Sequence, residues 1–290
     1  GLVKGASDGE GLGNRFLGQI RNVDAIVHVV RCFEGGGVAH VYGEVDAARD
    51  VEVIELELML SDLDILERRI EKTAKMSKGG DAKAVEELEL LKDLEKTLRQ
   101  GSSLRRLDMG AASETKCREL GLLTSKPVVY VANVGDDQIA DRDRIRSLIR
   151  DIAGDDVSDV VVIAGRLESE IVELVPAERR DFLQAMGLDE SGLETLIKIG
   201  YRILDLITFY TVVGKEMRAW SLARGTDAQA AAGKIHTDME RGFIKAEVIP
   251  YDKFMGAGSE SRARDLGLIH SEGRNYRIED GDVVHFRFNV

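Results

Sequence analysis

The chain has 290 residues, with 40 Lys+Arg against 52 Asp+Glu, a formal net charge of −12 and 43% hydrophobic residues. That length fills two or three domains with a substantial core. The acidity opposes indiscriminate nucleic-acid binding, and no apolar run approaches the ~20 residues of a membrane span. Cys32 and Cys117 are the only cysteines and lack metal-ligand spacing, which points to a reducing compartment, the cytoplasm, and not to a disulfide.

The first 34 residues hold a glycine-rich loop (Gly5, Gly9, Gly11, Gly13), then a short amphipathic helix with Phe16, Leu17 and Ile20 on one side. The apolar run Ala25 to Phe33 predicts a buried parallel strand. Loop, helix and strand are the grammar of a nucleotide-binding α/β domain, whose ligands sit at the carboxyl ends of strands. The loop comes before any strand, so the sequence is expected to begin inside a motif. Gly9-Glu10-Gly11-Leu12-Gly13 is a weak dinucleotide fingerprint without a preceding strand, and no G-x-x-x-x-G-K-[ST] occurs.

Gly35-Gly36-Gly37 marks a loop carrying His40. Leu56, Met59, Leu63, Leu66 and Ile70 then recur at coiled-coil spacing. Lys78-Gly79-Gly80-Asp81 interrupts them, and Leu88, Leu91, Leu94 and Leu98 line a second helix, which predicts an antiparallel hairpin. Its tip, Arg68 to Lys83, carries six basic and two acidic residues, either a solvated helix end or a contact for RNA or an acidic partner. The α/β pattern resumes with a strand at Val128 to Ala132, a helix over Asp141 to Ala153 and a strand at Val160 to Ala164. Helices follow over Glu168–Leu174, Ala177–Met186 and Ser191 to about Leu206.

The last 85 residues change character. Strands are expected at Thr208–Val213, Arg218–Leu222, Phe243–Ile249 and Val283–Phe288 around a helix at Ala228–Ile235, an α+β module. Leu206 to Val290 contains 12 basic and 12 acidic residues, so an RNA partner would meet less repulsion there.

Three stretches carry a resemblance: Gly1-Leu2-Val3-Lys4-Gly5-Ala6-Ser7, Gly9 to Asn14, and His28-Val29-Val30-Arg31-Cys32-Phe33-Glu34. Together they closely resemble the YchF family, the Obg-like ATPases among the translation-factor GTPases. His236 to Ile249 and Asp280 to Val290 resemble that family's TGS domain. The resemblance implies an α/β P-loop NTPase (G-domain-like) core with a mostly parallel sheet lacking its first elements. It also implies an inserted antiparallel helical hairpin and a C-terminal β-grasp (TGS) α+β domain. The expected boundaries are G domain over 1–49 and 122–205, hairpin over 50–121 and TGS domain over 206–290.

The resemblance also assigns roles. Gly1 ends the switch II motif, whose backbone N–H meets the γ-phosphate, and the Walker A loop with its Mg²⁺ ligands would lie upstream. Asn133-Val134-Gly135-Asp136 occupies the place of the purine-base loop, as the family's N-x-x-E, with Asp136 departing from the Glu. Read without the family, that stretch is equally an Asn-capped turn beside an acidic loop. Leu2 stands where related enzymes place the glutamine that orients water, and His40 matches the proposed substitute; otherwise His40 is a loop polar group. Ala164-Gly165-Arg166 falls at the last nucleotide-binding loop. The implied function is slow Mg²⁺-assisted ATP hydrolysis, preferring ATP to GTP, on the ribosome or ribosomal RNA, with neither membrane nor DNA as partner. The alternative is a nucleotide-independent adaptor acting through the hairpin and TGS domain.

Overall fold

The computed structural model describes residues 12–35, 37, 40–154, 158–213 and 216–289. The chain forms two compact units, Gly1–Ile199 and Gly200–Val290.

In the first unit, α1 (Leu12–Ile20) leads to β1 (Ile26–Arg31), and the long α2 (Ala47–Ser77) and α3 (Ala82–Arg99) follow. Next come α4 (Ala111–Leu120), β2 (Val128–Asn133), α5 (Arg142–Ala153), β3 (Asp159–Ile163), α6 (Gly165–Glu173) and α7 (Pro176–Ala185). Helix α8 (Gly192–Ile203) ends in the second unit. The strands form a parallel sheet in the order β1-β2-β3, with Val30 opposite Ala132 and Ala132 opposite Val162. Strand β2 is buried from Val128 to Ala132, as the central strand of a parallel sheet must be. Its neighbours in the core are Val30, Val160, Val162, Ile149, Leu167 and Ile171.

Strand β1 differs from its sequence expectation. Its apolar run predicts full burial, yet Val27 and Val29 are 50% and 60% exposed. Among the described residues β1 pairs with β2 alone, and these two valines border an open cavity with Phe16 of α1 and Val53 of α2.

The hairpin is present as α2 and α3. Met59, Leu63, Leu66 and Ile70 pack with Leu91, Leu94 and Leu98. Leu56 is exposed, because this end of α2 turns Leu58 toward Leu17 of α1 and Leu123 instead. Two buried carboxylates fasten α2 to the sheet side. Asp62 accepts from Leu123 N (2.9 Å), Thr124 N (2.8 Å) and Thr124 Oγ1 (2.8 Å), with Arg21 Nη1 at 3.4 Å. Burial pushes the Asp62 carboxyl up, against the pull of those donors. Glu55 accepts from Arg105 Nη1 (3.1 Å) and from the Tyr130 hydroxyl (2.8 Å). At the tip Gly80 has φ +82°, the left-handed turn glycine allows, and Asp81 caps α3.

The second unit is a five-stranded mixed sheet ordered β5-β4-β8-β6-β7, with β4 (Leu206–Val213), β5 (Glu216–Ala223), β6 (Phe243–Pro250), β7 (His270–Glu272) and β8 (Asp282–Phe288). One face packs on α9 (Ala228–Ile235) and on Met239 of α10 (Thr237–Arg241) through Ile207, Phe209, Ala246, Val248 and Phe286. The other packs Ile249 and Val283 on α11 (Tyr251–Ala257) and α12 (Glu260–Asp265), two helices and a strand, β7, that the sequence pattern leaves unassigned. On that second face Glu247 accepts from Lys245 Nζ (3.0 Å) and from the Arg264 and Arg287 guanidinium groups (3.1 Å each). A Cβ at Gly242 would collide with the Asn289 carbonyl, and Asn289 N donates to Gly242 O at 2.9 Å.

Candidate functional site

The chemistry-bearing loops leave the carboxyl ends of the three parallel strands. Asn133 ends β2 opposite Arg31 and Ile163, so the β2 loop emerges between the loops of its neighbours. Backbone bonds tie the three ends together: Cys32 N donates to Asn133 O (2.8 Å) and Val134 N to Ile163 O (2.9 Å). The Asn133 side chain reaches across, its Oδ1 accepting from Gly165 N at 3.2 Å. Gly165 opens α6, and a Cβ there would stand 3.3 Å from that same oxygen. Asn133 is therefore spent on joining the loops after β2 and β3.

Val134 is buried, and its side chain belongs to the sheet core. Asp136 is half-exposed and lies 3.7 Å from Arg166 Nε in the first turn of α6. Gln138, which the sequence does not single out, accepts from Gly135 N (2.8 Å) and donates to Cys32 O (3.3 Å), fixing the loop from both sides. Gly135, Asp137, Gln138, Cys32, Phe33 and Arg144 border an open cavity of ≈ 590 Å³. Burial and the Asp50 charge push the Cys32 thiol up to about 11, so it stays a neutral thiol.

His40 lies elsewhere. Its Nε2 is 2.8 Å from Asp50 Oδ2 on the first turn of α2, and its Nδ1 is 3.3 Å from Tyr42 N. Both residues border a second, mainly apolar cavity of ≈ 460 Å³ with Val27, His28, Val29 and Tyr42. His28 is partly buried: burial lowers its pKa, its ring sits 5.1 Å from that of Tyr130, and its Nδ1 has no hydrogen-bond partner among the described residues. The structure thus brings Asn133, Val134 and Asp136 together with Gly165 and Arg166, and holds His40 with Asp50 at a separate opening. Gly1 lies outside the described residues. Among the described residues no group of three or more His, Cys, Asp or Glu side chains could hold a metal ion, so the implied magnesium finds no ligand set in them.

A parallel sheet whose carboxyl-end loops carry an asparagine-headed turn and a helix-opening glycine, interrupted by a helical hairpin, is an α/β domain of the kind that binds ligands at its strands' carboxyl ends. The ribosome-binding ATPase YchF of Bacillus subtilis (strain 168) is 44% identical over 292 residues, covering 100% of this chain and 80% of that protein. The ribosome-binding ATPase YchF of Escherichia coli O157:H7 is 46% identical over 290 residues, with the same shares. The chain belongs to the YchF family. Residues 206–289 match the family model YchF-GTPase_C, described as a protein of unknown function. The structure of the Schizosaccharomyces pombe YchF GTPase superposes with a TM-score of 0.83 at 30% identity, over 98% of this chain and 78% of that one. A GTP-binding protein from Pyrococcus horikoshii OT3 shares the fold, with a TM-score of 0.58 at 19% identity over 94% of this chain and 81% of that one.

Proposed function

We propose that the protein is an ATPase of the YchF type, preferring ATP to GTP and working with the ribosome or ribosomal RNA in the cytoplasm. Its domains in this reading are a G domain (1–49, 122–205), a hairpin (50–121) and a TGS domain (206–290). The observation that carries the base preference is the pairing of Asp136 with Arg166 at 3.7 Å beside a buried Val134. Guanine recognition needs a free carboxylate for N1–H and N2–H₂ and a long stem along the ring. Here the carboxylate faces a guanidinium and the stem is absent. Adenine lacks that donor pair and asks nothing of the carboxylate, which Arg166 faces instead, so the backbone of the Asn133–Asp136 loop reads its N1 and N6.

His40 activates the attacking water in the place of the absent glutamine, and the Gly1 N–H addresses the γ-phosphate. This chain covers 80% of the length of its two bacterial relatives, and the phosphate cradle and magnesium ligands are assigned to the part of the family's length that it does not cover; magnesium held there would neutralise phosphate charge. The 290 residues alone are accordingly expected to release no phosphate from ATP or GTP above background.

The names of the two bacterial relatives support the ribosome as partner, and so does the hairpin tip. Arg68 and Arg69 there are paired with Asp64 and Glu87. Lys72, Lys75, Lys78 and Lys83 are exposed, with no ion pair among the described residues. Four unpaired cations at the end of a rigid projection suit phosphate oxygens. No helix among the described residues is long and apolar enough to cross a membrane.

The deciding experiment is competition of a labelled ATP analogue by unlabelled ATP and GTP in the enzyme complete with its phosphate-binding loop. ATP is expected to displace the label at the lower concentration. Displacement by GTP at tenfold lower concentration, a preference of ~1.4 kcal/mol for guanine, would overturn the assignment.

A further inference from the structure

We propose that Asp50 is the positioning residue for His40: it holds the Nε2 proton, and so makes Nδ1 the nitrogen that addresses water. The inference rests on the reading of His40 as the water-activating group.

The geometry fixes one tautomer twice over. An ionised carboxylate can only accept, so at 2.8 Å from Asp50 Oδ2 the His40 Nε2 must carry a hydrogen. A backbone N–H can only donate, so the contact of Tyr42 N with Nδ1 at 3.3 Å requires a lone pair on Nδ1. Of the two bonds the first is short and the second lies at the long limit, so Nδ1 exchanges its partner for water more readily than Nε2 gives up the carboxylate.

Asp50 is itself held. Asp46 caps α2 by accepting from Arg49 N at 3.0 Å, which puts Asp50 in the first turn, where the helix dipole favours a carboxylate. Its other oxygen lies 3.7 Å from Arg49 Nε. The Arg49 guanidinium sits 4.9 Å over the Tyr42 ring and donates to Glu44 O at 2.7 Å, closing the loop from His40 onto the helix. The other polar groups bordering the opening, His28 and Arg31, come from β1.

In the step this arrangement serves, water gives one proton to Nδ1. Its oxygen bonds to the γ-phosphorus as the bond to the departing ADP breaks. The imidazolium, stabilised across Nε2–H by Asp50, then returns that proton to solvent. The arrangement has the logic of an acid–histidine pair in which the carboxylate orients the ring.

The test is a double-mutant cycle on ATP turnover in the enzyme complete with its phosphate-binding loop. His40→Ala and Asp50→Ala are each expected to lower kcat at least tenfold with KM for ATP within twofold. The double variant should match His40→Ala within twofold, because Asp50 acts only through the ring. Asp50→Asn, which keeps the size of the side chain, should show the same kcat loss with an unchanged thermal midpoint, and replaces Asp50→Ala should that variant fail to fold. In the ¹⁵N-labelled 290-residue chain, the His40 Nε2–H resonance should be protected from solvent exchange and lose that protection in Asp50→Ala. Multiplying losses in the double variant, or kcat within twofold of wild type for the Asp50 variants, would overturn the inference while leaving His40 in its role. An unchanged kcat in His40→Ala would instead remove the reading beneath it.

Discussion

The two units solve the same problem, covering a sheet, in opposite ways. In the second unit both faces of β4–β8–β6 meet helices through apolar side chains, and the buried Glu247 carboxylate sits among three cations. In the first unit β2 is wrapped throughout, but β1 leaves two valines open, and α2 is fastened by the buried carboxylates Asp62 and Glu55. A sheet closed on both faces by hydrocarbon tolerates local change by repacking. One tied by buried charge concentrates its stability in a few atoms whose loss leaves uncompensated polar groups. The candidate loop Asn133–Asp136 leaves the first of these two sheets.

The largest effect is expected where that dependence is greatest. Asp62→Ala strips acceptors from two buried backbone N–H groups and the Thr124 hydroxyl, and should lower stability by about 3–5 kcal/mol, the range for breaking a buried charged network. Urea denaturation measures it, and a loss under about 1 kcal/mol would erase the contrast drawn above. In the second unit Gly242→Ala forces a methyl against the Asn289 carbonyl. An overpacking cost of about 1–3 kcal/mol is expected, with faster amide exchange along β6 and β8 and none of it if the last strand yields.

The Glu247 cluster should then show as a pH effect. Burial pushes its carboxyl up, but hydrogen bonds from Lys245, Arg264 and Arg287 outweigh burial and bring it down from 4.5 to about 2. The stabilisation from a depressed carboxyl is whole above the unfolded value and is lost as pH falls through the folded one. The second unit should therefore weaken between pH 4.5 and about 2. Glu247→Gln should flatten that part of the curve of denaturation midpoint against pH, and an unchanged curve would mean the three cations do not hold it. The smallest stability effect belongs to the hairpin tip. Replacing Lys72, Lys75, Lys78 and Lys83 by Gln should change stability by no more than about 0.5 kcal/mol per site. The salt slope of log affinity for a ribosomal RNA partner should become shallower by about 3, at ~0.7–0.9 for each phosphate no longer neutralised. An unaltered slope would take the tip out of the interface.

How much of this was legible in the sequence depended on whether the cause was local. The hairpin seam from Met59 to Ile70 and the buried run of β2 follow from periodicity, and the parallel α/β character from their alternation with helices. Leu56 escapes the pattern because what lies over that end of α2 is set by α1 and Leu123, far away in the chain. Val27 and Val29 read as core because composition cannot tell which face of a strand is covered. Asp62 stands beside the seam residue Leu63 with nothing in its neighbourhood to mark it, because its partners are about sixty residues on. The Asn133–Asp136 loop is legible through its residues, but Gln138 and Arg166 act on it through contacts that no spacing announces. His40 was legible through the resemblance, whereas Asp50 looks like any acidic residue near a helix start. The short helices α11 and α12, of 7 and 6 residues, are below the length at which helical periodicity can be recognised.

Helix α2 has one further consequence. It is a single helix of 31 residues, about 46 Å at 1.5 Å per residue. Asp50 lies in its first turn, and the lysine-bearing turn follows its last residue. The helix is therefore a lever arm pinned at Glu55 and Asp62, with the His40 contact on its short side. A partner gripping the far end would apply torque where the arm is longest, and a tilt of a few degrees would become a displacement of some tenths of an ångström at the Asp50 carboxylate. A hydrogen bond of 2.8 Å responds to a change of that size. The outer load and the inner contact are mechanically one part.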